Sequence, residues 1–282
     1  MKNIVITFLL VFLSGTLPLF AQTAAKEELT VPLSDPNKPG TLEVGLVNGS
    51  ITVVGYSGKE VQIEAMSGAK AGSEGKMKDK PSGEAQSSGM RRITPNTSFE
   101  LAAEERNNTV KITSNSIMHP VNLTIRVPQK FSLKVSTVNE GAIKVENVNG
   151  ELEVKNINGP IDLINVSGSA VANTINGDIK VNFRELNATA PMAFSTLNGR
   201  IDVTFPTAAK ASFKMKSDRG DIFSDFDMDI DKSQPQATRS SQSGMYRVTI
   251  ENWVYGKING GGPEIMMKSM QGNIYVRKAG SR

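Results

Sequence analysis

"VENVNGELEVKNINGPIDLINVSG", Val145 to Gly168, decides the architecture. A small pair, Asn-Gly or Ser-Gly, returns every nine residues at Gly150, Gly159 and Gly168, and again at Gly177 in "NTINGDIKV". Apolar residues fall two places before and two and four places after these glycines. Around Gly159 they are Ile157, Ile161 and Leu163; around Gly177, Ile175, Ile179 and Val181; around Gly199, Leu197, Ile201 and Val203. The same frame holds near both ends, at Gly49 (Val47, Ile51, Val53) and at Gly272 (Met270, Ile274, Val276). Alternation after each glycine is the mark of a half-buried strand.

Asn-Gly between β runs ordinarily signals a two-residue hairpin. Parity argues against a meander of hairpins. From Val154 to Ile157 is an odd step, which turns a side chain to the opposite face of a straight strand. If both face one core, the chain bends near Lys155-Asn156, as at the corner of a coil. Two nine-residue units then form one turn, and strands about eighteen residues apart pair in parallel. The longer steps from Gly177 to Gly199 and from Gly199 to Gly220 read as turns with longer corners. Glycine meets the tight or left-handed backbone of a corner. Asn149, Asn158, Asn176 and Asn198 are expected in turns and stacked ladders.

The 282 residues suffice for one large all-β domain or two small ones. With 38% apolar residues a sizeable core is possible, and the net charge of +4 with one Trp and four Tyr gives no nucleic-acid signature. "MKNIVITFLLVFLSGTLPLFAQ" reads as a signal peptide over residues 1–21, so the mature chain is expected to be exported, without a membrane span. Absence of cysteine excludes disulfides and a lipidated cysteine. After a segment over 22–40, the repeat domain is expected over 41–278, with flexible insertions at 67–98 and 231–244 and a short tail at 279–282. "FELAAEERNN" is the one short helix candidate.

"VNLTIRVPQKFSLKVSTVNEGAIKVENVNGELEVKNINGPIDLINVSGSAVANTINGDIKV" and the closing "GKINGGGPEIMMKSMQGNIYVRK" resemble the DUF4097 family, which carries an adhesin label. The resemblance runs from about Leu42 to Lys278. It implies a toast-rack type of right-handed β-helix found in bacterial envelope proteins, and no catalytic residues. The register departs from the pattern at Gly58, where the apolar positions slip to Val61 and Ile63. The expected fold is therefore an all-β, single-stranded, right-handed β-solenoid of parallel stacked strands.

Few residues suggest chemistry. His119 is the sole histidine, so a multi-His metal site is impossible. Asp225, Asp227, Asp229 and Asp231 alternate with Phe226, Met228 and Ile230; this fits a strand with an acidic face, or a hard-cation site without EF-hand spacing. Asp162, Asp178, Asp202 and Asp221 follow repeat glycines, and nothing marks two of them as a glycosidase pair. Tyr246, Trp253, Tyr255 and Tyr275 are candidate partner-binding aromatics, or a cover for the open end of the coil. The expectation is a non-enzymatic binding or scaffold protein of the cell envelope, in a Gram-negative-type periplasm or at the surface, with no cofactor. It would present a rigid face to an envelope protein or a polysaccharide. The alternatives are a periplasmic envelope-stress or regulatory module and a polysaccharide-acting enzyme.

Overall fold

A computed structural model describes residues 26–67, 99–116, 119–139, 141–186, 190–231, 237–242, 245–250 and 252–280, with only the backbone given over 237–250. The expected signal segment and nearly all of the expected 67–98 insertion lie outside the described residues.

The nine-residue unit is half a turn. Strand Asn149–Asn156 pairs in parallel with the second half of Ile161–Asn176, Leu152 lying opposite Ala170. The first half of Ile161–Asn176 pairs with Ile143–Glu146 on one side and Ile179–Leu186 on the other, so Ile143, Ile161 and Ile179 stand in one row. Each step is eighteen residues, the spacing of a coil and not of a meander. Ile161–Asn176 passes from one sheet to the other through an irregularity between Leu163 and Ser167, and this joins the two walls. Gly150 and Gly168 belong to one corner of the coil, Gly159 and Gly177 to the other.

Strand pairing gives eight turns along the axis. Turn 1 is Thr109–Ser114 with Val121–Pro128, and turn 2 is Gly40–Asn48 with Ile51–Tyr56. Turn 3 is Phe131–Asn139 with Ile143–Glu146. Turn 4 is Asn149–Asn156 with the first half of Ile161–Asn176, and turn 5 is its second half with Ile179–Leu186. Turn 6 is Met192–Asn198 with Ile201–Phe205, and turn 7 is Glu264–Gln271 with Ile274–Lys278. Turn 8 is Ala211–Ser217 with Ile222–Ser224. Turns 3 to 6 follow chain order. The ends do not: each terminal segment is inserted one turn in from the end. The step from Gly199 to Gly220 is thus not one long turn, because Gly272 lies between them.

Antiparallel strands finish both ends, so the expected purely parallel stack is confined to the body. Lys26–Pro32 pairs with Glu60–Ser67, which pairs with Val121–Pro128. This explains the slip at Gly58: Val61, Ile63 and Ala65 face the core from a covering strand that runs the other way. "FELAAEER" is also strand, not helix. Leu101–Arg106 forms a hairpin with Thr109–Ser114. Its turn residues Asn107 and Asn108 have φ of 51° and 61°, the paired left-handed geometry of a tight hairpin that asparagine accepts. At the far end Val254–Ile258 covers Ala211–Ser217, and Asp229–Asp231 covers Val254–Ile258. Open β edges template aggregation, and reversed short strands blunt them. Within the stretch expected as a loop over 231–244, Ala237–Gln242 forms a hairpin with Met245–Ile250.

Inward residues from both sheets build one core, including Leu133, Leu152, Val154, Ile161, Leu163 and Val181. Toward turns 5 to 8 it becomes aromatic. Phe183 stacks on Phe205 at 5.6 Å between ring centroids, and Phe194 and Phe213 meet these two edge-on. Such rings add about 0.5–1.5 kcal/mol per pair beyond burial.

Candidate functional site

The corner that carries "TxNG" holds the most regular chemistry. On turns 4 to 8 the residue three before the corner glycine, and on turn 3 Thr137, four before Gly141, is polar and donates to the glycine carbonyl of the preceding turn. Thr137 donates to Gly49 O at 3.0 Å, Thr174 to Gly159 O at 3.0 Å and Thr196 to Gly177 O at 2.9 Å. Ser269 continues to Gly199 O and Ser217 to Gly272 O, both at 2.9 Å. Asn156 takes the place of threonine in turn 4 and donates to Gly141 O at 2.8 Å. All six bonds point the same way along the axis, which independently fixes the order of turns 2 to 8. Glycine is required there by closeness: a Cβ on Gly177 would stand 2.1 Å from the Gly159 carbonyl oxygen.

One residue before the glycine lies the expected amide ladder. Asn176 donates to Asn158 Oδ1 at 2.8 Å, and Asn198 to Asn176 Oδ1 at 2.7 Å. Asn149 is not in it; it sits at the opposite corner, opposite Ser167. That corner has its own ladder, missed from the sequence, in which Asn165 donates to Asn147 Oδ1 at 2.6 Å and both have positive φ.

Two residues before the glycine the structure corrects the parity argument. The strand does not bend at Lys155-Asn156. Asn156 points inward, and the odd step therefore turns Ile157 out. Val47, Val138, Ile157, Ile175, Leu197 and Met270 are all between 37% and 42% exposed. The register pairs on either side, Thr174 with Thr196, Asn176 with Asn198, Thr196 with Ser269 and Asn198 with Gln271, place them in one row. At about 4.8 Å per turn, six turns make an apolar ridge about 24 Å long. The same offset at the other corner is buried: Val148 and Val166 are fully covered. The sequence period is equal at both corners, but only one faces solvent.

Beside the ridge runs the outer face of the first sheet, the wall that holds Asn149–Asn156, the second half of Ile161–Asn176, Met192–Asn198, Glu264–Gln271 and Ala211–Ser217; the strands that follow the ridge corner make the second sheet. One of its rows holds Lys155, Asn173, Ser195, Lys268 and Lys216 on consecutive turns. The candidate aromatics divide. Trp253, just before Val254–Ile258, lies on this face, half-buried, with Lys214 Nζ at 4.7 Å and Lys216 Nζ at 5.8 Å from its ring centroid. Tyr255, 43% exposed, stands opposite Lys214. Next to it an open groove of about 700 Å³ is lined by Asp229, Asp231, Lys257 and Glu264. Tyr275 is on the second sheet, stacked on Phe223 at 5.2 Å and 4.9 Å from Arg277. Tyr246 falls in Met245–Ile250, where side chains are outside the description.

Other candidates are dispersed. Asp162 stands between Lys144 and Lys180, and Lys180 separates it from Asp202. Asp202 pairs with Arg277 at 2.7 Å, and Asp178 with Arg200 at 3.1 Å. Asp221 lies on turn 8, where its N–H meets Asn273. Asp225 to Asp231 do not form the expected continuous strand; only Asp229–Asp231 is extended, and Phe226 turns into the core. Among the described residues, no three His, Asp or Glu side chains gather as a metal site. His119 is half-buried in a bend, its carbonyl accepting from the Ser116 hydroxyl.

Residues 132–259 match the family model of Toastrack DUF4097. The resemblance seen in the repeats thus holds over turns 3 to 6 and turn 8; turn 7, made by residues beyond 259, is threaded between parts of the Toastrack segment. Among solved structures the chain is similar to a candidate cell adhesion protein of Clostridium sporogenes, at 12% identity and a TM-score of 0.46, over 91% of this chain and all of that one. It is also similar to a candidate adhesin of Bacteroides fragilis, at 10% identity and a TM-score of 0.28, over 92% of this chain and 98% of the other. No curated protein matches the chain.

Proposed function

We propose that the chain is an exported, non-enzymatic binding or scaffold protein of the cell envelope, which presents the ridge and the adjoining sheet face to a polysaccharide or protein partner. The ridge carries this reading. Solvent-facing positions of a sheet are normally polar, yet six consecutive turns place an aliphatic side chain outward in one row. The hydroxyl and amide ladders beneath hold that row in place, so binding costs little ordering entropy. The separated carboxylates support a binding role over hydrolysis.

The test compares retention of the purified protein on envelope fractions with that of an Ile157→Ser/Ile175→Ser/Leu197→Ser variant, melting temperature serving as the folding control. Retention is expected to fall at least tenfold, since each exposed aliphatic group contributes on the order of 1 kcal/mol when covered. Equal retention by the folded variant removes the ridge from the function. Protease treatment of intact and lysed cells then separates the two locations. Cleavage in intact cells supports adhesion to an external partner. Protection until lysis supports the periplasmic module.

A further inference from the structure

We infer that the partner of the ridge is a second copy of the chain, packed ridge against ridge and antiparallel, about a two-fold axis normal to the two sheets. The inference rests on the proposed binding role of the ridge and names what covers it.

Side-chain size is graded along the ridge. From turn 2 to turn 7 it runs Val47, Val138, Ile157, Ile175, Leu197, Met270. A two-fold axis between turns 4 and 5 sets turn 2 of one copy against turn 7 of the other, turn 3 against turn 6 and turn 4 against turn 5. Val47 then meets Met270, Val138 meets Leu197 and Ile157 meets Ile175. The small residue of one copy faces the large one of the other, so the combined volume stays nearly constant and two rows of equal pitch close along their whole length. Parallel packing would put valine on valine at one end and methionine on methionine at the other, leaving a gap between the valines. A slip of one turn would set Val47 against Asp218, which continues the row on turn 8, and covering a carboxylate with an aliphatic group is costly. The order of side chains thus fixes both direction and register.

The flanking rows agree with this arrangement. On the side of the second sheet the amides Asn48, Asn139, Asn158, Asn176, Asn198 and Gln271 meet their own row reversed, and an amide both donates and accepts. On the side of the first sheet Lys268 comes opposite Gly45, Ser195 opposite Ser136 and Lys155 opposite Asn173, so no ammonium faces another. The ridge and the amide row together offer roughly 600 Å² on each copy, about 1,200 Å² in total, which is the lower end of specific interfaces and suits a reversible dimer. A glycan is a poorer occupant of the ridge, because sugar hydroxyls need hydrogen-bond partners and the six ridge side chains supply none. The two-fold axis leaves both first sheets on the same side of the pair. Anything bound by that face then meets two copies of it at once and is held more tightly by bivalency.

Sedimentation equilibrium of the full mature chain is expected to give the mass of a dimer at about 100 μM and of a monomer near about 1 μM, the range of a small reversible interface. Ile157→Ser/Ile175→Ser/Leu197→Ser is expected to be monomeric at both concentrations while keeping a cooperative melt. Single cysteines, each alone in a chain that has none, test direction with the rest of the ridge intact. An equimolar mixture of Val47→Cys and Met270→Cys is expected to oxidise to a mixed disulfide dimer. Neither protein alone is expected to cross-link, since like positions stand about 24 Å apart across the pair. The inference is overturned by a parent that is monomeric at the higher concentration, by a ridge variant that stays dimeric, or by Met270→Cys cross-linking to itself and not to Val47→Cys. A monomeric parent that floats with phosphatidylglycerol vesicles would give the ridge to a lipid surface instead. If the parent is monomeric while the ridge variant still loses envelope retention, this inference falls and the proposed binding role stands. If the dimer forms and both proteins are retained equally, the pairing stands and the envelope role of the ridge falls.

Discussion

At the scale of the residue, the position three before each corner glycine carries the stacking. Turns 5 and 6 place threonine there and turn 3 places Thr137 in the same row, four before Gly141, and each hydroxyl fills one donor role to a carbonyl 2.9–3.0 Å away. Turn 4 places Asn156, whose Nδ2 does the same while its buried Oδ1 has no partner among the described residues. An orphaned buried acceptor costs about 1–3 kcal/mol. Asn156→Thr is therefore expected to stabilise the protein by about 1 kcal/mol in denaturant unfolding; a lower midpoint would show that the amide is doing something the hydroxyl cannot. Gly177→Ala goes the other way. Its methyl would strike the Gly159 carbonyl, backbone that cannot step aside, and a loss of about 1–3 kcal/mol or more is expected. Glycine and asparagine at corners were legible from the nine-residue period. The direction of Ile157 was not: period alone cannot tell an outward corner from an inward one, and two apolar residues an odd step apart could both have faced the core only if the strand had bent.

At the scale of the element, the covering strands depend on side chains that no repeat announces. Glu105 accepts from the Ser34 hydroxyl, from Ser34 N–H at 3.1 Å and from Asn108 N–H at 2.8 Å, tying the turn after Lys26–Pro32 to the Leu101–Arg106 hairpin. These bonds, led by the Ser34 hydroxyl, hold its carboxyl below the ordinary range. A carboxyl with a lowered folded pKa contributes stability above its unfolded pKa and loses it as pH falls through the folded value. Acidification is thus expected to raise amide exchange at Ser34 and Asn108 beyond its intrinsic pH dependence, relative to Val154 in the core. Glu105→Gln should abolish that extra dependence; an identical pH profile in both proteins would contradict it. "FELAAEER" shows why this end was hard to read. Its composition suits a helix, and the Asn107-Asn108 hairpin turn, with its tertiary pairing, overrides that local preference.

At the scale of the whole molecule, chain order and axial order differ. Turn 7 comes from the last residues, yet it lies between turns 6 and 8. It buries Ile265, Met267, Ile274 and Val276, each worth about 1.5–3 kcal/mol on burial. Before chain entropy is subtracted, that sum is comparable with the 5–15 kcal/mol net stability of a typical domain. Ending the chain at Gly262 is therefore expected to abolish cooperative unfolding and cause aggregation, where removing the end turn of an ordinary solenoid would only shorten it. A truncated protein with a sharp melt would contradict this. The repeats made the coil legible, because eighteen-residue neighbours pair locally. The insertion of the terminal turns was not legible, since partners 73 residues apart share the same motif with every other turn.

The ridge, the series of inward donors to the glycine carbonyls and the burial of the turn 7 side chains all require turn 7 to lie between turns 6 and 8. The chain has no cysteine, so introduced pairs report cleanly. Asn198 and Gln271 are opposite each other on adjacent strands, within disulfide reach, whereas Arg219 on turn 8 lies two strands from Asn198, about 10 Å away. Oxidation of Asn198→Cys/Gln271→Cys is expected to give a rapid, complete intramolecular cross-link, and Asn198→Cys/Arg219→Cys none. Cross-linking of the second pair and not the first would contradict the axial order, and with it the continuous ridge.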